Sequence, residues 1–213
     1  MGKIKQGILG GFSGKVGNVI GTSWKGISVV KVMPQSVANP KTGAQIARRS
    51  KLTNTVNFAT AILAGFIKPV WDRFAQQMSG YNAFISANIE LFANELPSDY
   101  SKLVTSRGKL DKLGLLSFSI KSTGEVHIEW TEGSEGTYGS GDDEVYAVFI
   151  NQNTGEVVGT YLDSSHRGSV GWNDGLIGFE PAVGNTVHCY VTARRADGTM
   201  VSDCEHRSAV ATA

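Results

Sequence analysis

His188, Cys189, Cys204 and His206 are the side chains in this chain best suited to bind a metal. Imidazole and thiolate are the ligands zinc prefers. The four fall on two stretches that alternate polar and apolar residues and so read as neighbouring strands. Alternation sends His188 and Cys189 to opposite faces, so at most three of the four can converge. No Cys-x-x-Cys spacing accompanies them. A disulfide would need Cys189 and Cys204 directly opposed. A two-residue turn at Asp197-Gly198 instead pairs Cys204 with Val191, one diagonal off. Buried free thiols fit the pattern better, and no metal or small-molecule cofactor is expected.

A second constellation is basic. Lys41, Arg48, Arg49 and Lys51 lie around the start of an expected helix. Such a cluster can meet phosphates or an acidic protein surface. It belongs to a wider asymmetry. The first acidic residue is Asp72, and the 71 residues before it hold ten basic groups. The remaining 142 hold ten basic groups and nineteen acidic ones, so +10 stands against −9 under a formal net charge of +1. Glu132, Glu135, Asp142, Asp143 and Glu144 crowd the stretch after Trp130. They lack the ligand spacing and fixed Gly of a calcium loop. The stretch reads as a solvated acidic loop, and as a surface that a neighbour's basic region would meet.

Other chemistries fail on spacing. A phosphate-binding Walker loop ending at Gly14-Lys15 needs Gly at position 9 and Ser or Thr at position 16, where Leu9 and Val16 stand. There is no Gly-x-Ser-x-Gly elbow and no His-Glu-x-x-His. His166, beside Ser164-Ser165, reads as part of a turn. A non-enzymatic protein is expected. A carbohydrate- or surface-binding role would have only Tyr138, Tyr161 and Trp172 as stacking residues.

The elements that must carry these groups separate by texture. Residues 1–38 are Gly-rich, basic and β-prone, with strands expected at Lys15–Ile20 and Trp24–Met33. Val29-Val30 and Val32-Met33 put apolar groups on both faces, which predicts a strand covered on both sides. The spacing of Gly14, Gly17, Gly21 and Gly26 suggests bulges or close packing. Residues 39–96 read as helices. Thr42-x-x-Gln45 is a capping box. Leu52, Val56, Ala59, Leu63 and Phe66 follow helical spacing. Gly65 and Pro69 interrupt, a second helix carries Trp71, Phe74 and Met78, and a third carries Tyr81, Phe84, Ile85, Ile89 and Phe92.

Residues 97–213 read as seven short strands: Leu115–Ile120, Glu125–Trp130, Glu144–Ile150, Glu156–Tyr161, Ser169–Trp172, Thr186–Arg195 and Thr199–Arg207. Val126, Ile128 and Trp130 should face a core, as should Val187, Cys189 and Val191. Turns are expected at Asn153-Thr154-Gly155 and Asp197-Gly198. The expected class is α+β. A Gly-rich β segment with helices (1–96) precedes an immunoglobulin- or fibronectin-III-like β-sandwich (97–213).

The composition fits an ordered protein: 213 residues, 41% hydrophobic and 18% charged, with 26 Gly and five Pro. Two cysteines are too few for a secreted disulfide scaffold. No apolar run would span a bilayer, and no signal peptide is expected.

The segments Gly7-Ile8-Leu9-Gly10-Gly11-Phe12-Ser13-Gly14-Lys15-Val16-Gly17-Asn18-Val19-Ile20-Gly21 and Trp24-Lys25-Gly26 are distinctive. So are Asn39-Pro40-Lys41-Thr42…Gln45…Arg49-Ser50-Lys51 and Met78-Ser79-Gly80-Tyr81-Asn82-Ala83-Phe84 with Asn88. Together they resemble an uncharacterised family of roughly 200-residue Bacteroidota proteins with relatives in phages and prophages. The resemblance implies a structural protein, capsid- or tail-associated, in a virion or in the host cytoplasm. It supplies no catalytic residues. The expected partner is another protein or a second copy, engaged through the basic first third. Nucleic acid is the alternative.

Overall fold

Period-two patterning builds most of this molecule, a β-rich α+β protein. The computed structural model describes residues 2–3, 12–36, 39–73, 75–131, 136–169 and 171–213. Phe74, Glu132 and Glu135 therefore lie outside the described residues. The chain forms two compact units, Met1–Ile46 with Gln76–Met78, and Ala47–Ala75 with Ser79–Ala213.

The first unit carries a four-stranded antiparallel sheet. Its strands are β1 (Gly2–Lys3), β2 (Gly14–Val16), β3 (Val19–Trp24) and β4 (Ile27–Val32), in the order β1-β4-β3-β2. The two strands expected here are cut into three by hairpin turns. Gly17 at φ +59° turns β2 into β3. Lys25 at φ +46° and Gly26 at φ +79° turn β3 into β4, the backbone that a tight two-residue hairpin requires. Register places Val16, Val19 and Val32 in one cross-strand row, and Lys15, Ile20 and Lys31 in another on the opposite face. The expected cover on both faces is partial: Val29 and Val30 are half-buried, while the end of the strand is bare. Val32 is 71% exposed and Val16 66%. Gly21 is the one buried residue described in the sheet. Phe12 lies against it, so a Cβ at that position would collide with the Phe12 ring.

The second unit has three layers. Helix α1 (Gly43–Ala61) enters it, opened by Thr42, whose Oγ1 accepts from the Gln45 amide at 3.4 Å. A π-helical turn (Leu63–Ile67) leads into the short α2 (Lys68–Trp71), with Pro69 in its first turn. Pro suits that position because it lacks only an N–H that would go unpaired anyway. Helix α3 (Gly80–Asn88) is capped by Ser79, whose side chain accepts from the Asn82 amide at 3.2 Å.

The strands follow. They are β5 (Leu115–Ile120), β6 (Glu125–Trp130), β7 (Glu144–Asn151), β8 (Val157–His166), β9 (Gly171–Leu176), β10 (Thr186–Arg194) and β11 (Glu205–Val210). They form two antiparallel sheets, β5-β6-β9 and β11-β10-β7-β8. One apolar layer joins the sheets: Val126, Ile128 and Trp130 of β6 meet Phe149 of β7 and Val187, Cys189 and Val191 of β10. All six residues expected to face a core are buried.

Helices cover the other face of the larger sheet. Tyr146, Val148 and Ile150 of β7 and Tyr190 of β10 pack with Phe58, Ile62, Phe66 and Phe84. Every residue of β7 from Val145 to Asn151 is therefore buried. Leu52 faces water instead, at 46% exposed.

Several expected strand ends move: the strand expected at Ser169–Trp172 runs instead from Gly171 to Leu176. Strand β8 runs on to His166 across a register shift between Glu144 and Tyr146. The last strand starts late: the Asp197-Gly198 turn pairs Arg194 with Val201, but the ladder then slips one residue and pairs Val191 with Glu205. That slip sets Cys189 opposite Arg207, so both cysteines are free thiols. Cys189 is buried and Cys204 half-buried. No helix among the described residues is long and apolar enough to cross a membrane.

Candidate functional site

The basic constellation begins on α1, whose first turn carries no acid. Arg48 and Lys51 sit three residues apart on one helical face, and both reach Glu90, just beyond α3. Lys51 Nζ lies 2.8 Å from Glu90 Oε2, and Arg48 binds the other carboxylate oxygen. Bonds from Lys51 and then Arg48 hold the Glu90 carboxyl at about 2, far below its ordinary value. The cluster is thus partly neutralised inside its own unit. Arg49 and Lys41 are exposed.

The acidic stretch divides. Asp143 is inside the molecule, where Arg167 Nε meets its Oδ2 at 2.8 Å and both side chains are sequestered from water. Arg167 also donates to the carbonyls of Lys112, at 3.0 Å, and Asp111. Its own carbonyl accepts from Trp130 Nε1 at 3.0 Å. The Arg167 guanidinium therefore ties the acidic loop to the approach to β5, and the same residue's backbone carbonyl holds the core tryptophan. The Asp111 carboxylate accepts from the Tyr138 and Gly139 amides at 2.6 and 3.1 Å. Those bonds, the Tyr138 amide first, draw its pKa down. Glu144 binds Arg194 and accepts from the Tyr146 hydroxyl at 3.2 Å. Asp142 remains exposed.

His188 and His206 converge, while Cys189 turns into the core. His206 lies opposite Tyr190, so His188 is its diagonal neighbour on the same face. His188 Nδ1 stands 3.0 Å from His206 Nε2, and His188 Nε2 stands 3.1 Å from Gln152 Oε1. The amide oxygen can only accept. His188 therefore carries its proton on Nε2, and its bare Nδ1 accepts from His206. Tyr100 stacks flat on His188 with ring centres 3.8 Å apart. Tyr190 stacks on His206 at 4.7 Å. Burial, and secondarily His206, push His188 down to about 4. This is a neutral stacked cluster. No group of three or more metal-ligating side chains occurs among the described residues. Nothing in the sequence signals this pair: the two-residue turn alone would set His206 opposite Cys189, and the one-residue slip moves it to the His188 face. The Tyr100 partner had no signal either.

A family-wide sequence pattern covers residues 11–206. The chain belongs to DUF6266, a family of unknown function. Among curated proteins and among solved structures, none matches it.

In this DUF6266 chain the three aromatics considered for stacking are dispersed in their roles. Tyr161 packs on Tyr146 with ring centres 5.2 Å apart. Trp172 lies over Gly175, where a Cβ would collide with its indole. Tyr138 is exposed. The Asn88 named among the distinctive segments is a buried clamp. Its Nδ2 donates to the Phe84 and Val104 carbonyls at 3.0 and 2.9 Å, and its Oδ1 accepts from the Val104 amide at 2.9 Å.

Proposed function

We propose that this DUF6266 chain is a non-enzymatic structural and interaction protein that assembles through its basic N-terminal region. Its proposed setting is a phage or prophage virion, as a capsid- or tail-associated component, or the host cytoplasm during assembly. The resemblance of its N-terminal segments to phage- and prophage-associated proteins supports that setting. The two antiparallel sheets sharing one apolar layer support a finer reading of the body as an immunoglobulin- or fibronectin-III-like sandwich.

One observation carries the assembly reading. Among the described residues, no hydrophobic side chain before Phe58 is buried. Seven of the thirteen exposed large hydrophobics fall at or before Leu52: Phe12, Val16, Trp24, Val32, Met33, Ile46 and Leu52. A small sheet that buries so little is not stable by itself, and such exposure is typical of surfaces that meet a partner. The charge asymmetry suits an acidic partner surface, including that of another copy. A contact between unlike surfaces is heterologous and builds rings or arrays.

Nucleic acid is the second reading. It is favoured by the face that carries Lys15, Ile20 and Lys31 in one row with exposed Trp24 nearby. Cations beside an aromatic are the ingredients of single-strand binding.

Sizing the purified chain at low and high salt, with and without DNA, tests both. Self-assembly that weakens with salt and with Lys15→Glu/Lys31→Glu supports the first. A chain that stays monomeric at high concentration and low salt but shifts onto DNA overturns it in favour of the second.

A further inference from the structure

A groove of about 950 Å3 opens in the second unit between α1, the Ala93–Leu96 segment and the turn joining β7 to β8. That volume is in the range of ligand sites, roughly 300–1,000 Å3. Its walls are fixed. Helix α1 is anchored by buried Phe58, Ala59 and Ile62. The turn is locked by Asn151 Oδ1, which accepts from the Asn153 and Thr154 amides at 3.0 and 3.3 Å. It is locked again by Asn153 Oδ1, which accepts from the Thr186 amide at 2.9 Å. The third wall is held by the Ser98 amide, which donates to the Leu91 carbonyl at 2.9 Å.

The rim is unusual in its chemistry. Ser50, Asn54 and Asn57 recur at helical spacing, so one polar stripe of α1 forms a wall. Asn94, Glu95 and Asn153 line the groove with them. The Asn54, Asn57, Asn94 and Glu95 side chains make no hydrogen bond among the described residues. Among the described residues no lysine or arginine lines the groove, which disfavours phosphate or any polyanion. Phe58, Ala61, Ala93, Leu96 and Val157 give it an apolar lining, of which the largest member, Phe58, is only 5% exposed.

Carboxamides both donate and accept, as sugar hydroxyls do. A carboxylate adds an acceptor for hydroxyl donors, and small aliphatic groups suit the C–H face of a sugar ring. We propose that this groove binds a neutral oligosaccharide, with Asn54 and Asn57 on one side and Asn94, Glu95 and Asn153 also engaging its hydroxyls. The site is independent of the assembly reading, since none of its residues belongs to the N-terminal sheet.

The test uses the full chain. A microarray of neutral glycans is followed by titration of the 15N-labelled protein with the best hit, and with triacetylchitotriose and maltotriose. The expected result is a sugar that shifts the side-chain amide signals of Asn54, Asn57 and Asn94. Asn54→Ala/Asn57→Ala should weaken it roughly tenfold, the scale of one or two lost hydrogen bonds. Its unfolding midpoint should match wild type, because Asn57 is exposed, Asn54 only half-buried, and neither side chain is hydrogen-bonded among the described residues. Silence on the array and in both titrations overturns the proposal. So does a sugar that binds without moving those amides, or a neutral extended peptide such as a glycine–serine hexamer that moves them when sugars do not.

Discussion

Gly65 and Gly159 meet backbone to backbone. A Cβ on Gly65 would stand 2.0 Å from the Gly159 carbonyl oxygen, and one on Gly159 would stand 2.7 Å from Phe66 Cβ. The π-helical turn can lie flat on β8 because neither residue has a side chain. Gly65→Ala should therefore force the helical layer off the sheet and cost about 1–3 kcal/mol, the usual scale of overpacking. Urea unfolding monitored by tryptophan fluorescence measures it. An unchanged midpoint would contradict the packing described.

Asn88 should matter more than its size suggests. Its amide makes three hydrogen bonds, one buried to Phe84 and two part-buried with Val104, all at 3.0 Å or less. Asn88→Ala leaves the Val104 amide and carbonyl without a side-chain partner, and buried groups left so cost about 1–3 kcal/mol. Hydrogen exchange gives a local readout: the Val104 amide should lose protection first. Equal protection in both proteins would refute the clamp.

Arg167→Ala should be among the most damaging single changes. It strands the Asp143 carboxylate in the interior, which costs on the order of 3–5 kcal/mol. Trp130→Ala should lie in a similar range, about 3–5 kcal/mol for a buried aromatic. Only the arginine change should also loosen the Tyr138–Asp143 segment, because only it abolishes the ion pair. Proteolysis of that loop in a folded variant is the distinguishing measurement.

Acid should attack the histidine cluster. His188 falls from its ordinary 6.5 to about 4 in the folded chain. A depressed histidine favours the neutral form, so its contribution is fully present above about 6.5 and is lost as pH falls from there to about 4. The surroundings agree in sign. His206 is itself pushed down, by burial first and Arg207 next, and Asp99 opposes only weakly as the last of its causes. Tyr100 and Tyr190 present rings to the pair. Unfolding midpoints between pH 7 and 4 should fall more steeply for wild type than for His188→Gln. Parallel curves would remove the cluster from the pH response.

Much of the strand framework was legible from residue order alone. Leu115–Ile120 and Glu125–Trp130 were expected with the bounds that β5 and β6 have. Alternation fixed which of their side chains face inward, because a strand's period is two whatever packs on it. The Thr42 cap and the turns at Asn153-Thr154-Gly155 and Asp197-Gly198 are local chemistry, and they form locally. The basic stripe was legible as charge, but its Glu90 partner lies 39 residues beyond Lys51, and spacing is silent over that distance.

What sequence could not supply was the occupant of the second face. His188, Tyr190 and Thr192 alternate with apolar residues and look like a solvent face. Yet Tyr190 is buried, because α1 and the π-helical turn cover β7 and β10 with Phe58, Ile62 and Phe66. Asp143 likewise reads as a surface acid and proves to be an interior one, since Arg167 arrives from 24 residues away. Near neighbours set local conformation through backbone sterics and short hydrogen bonds. Burial and charge pairing depend on which distant surfaces share the same space, and only the folded chain brings those surfaces together.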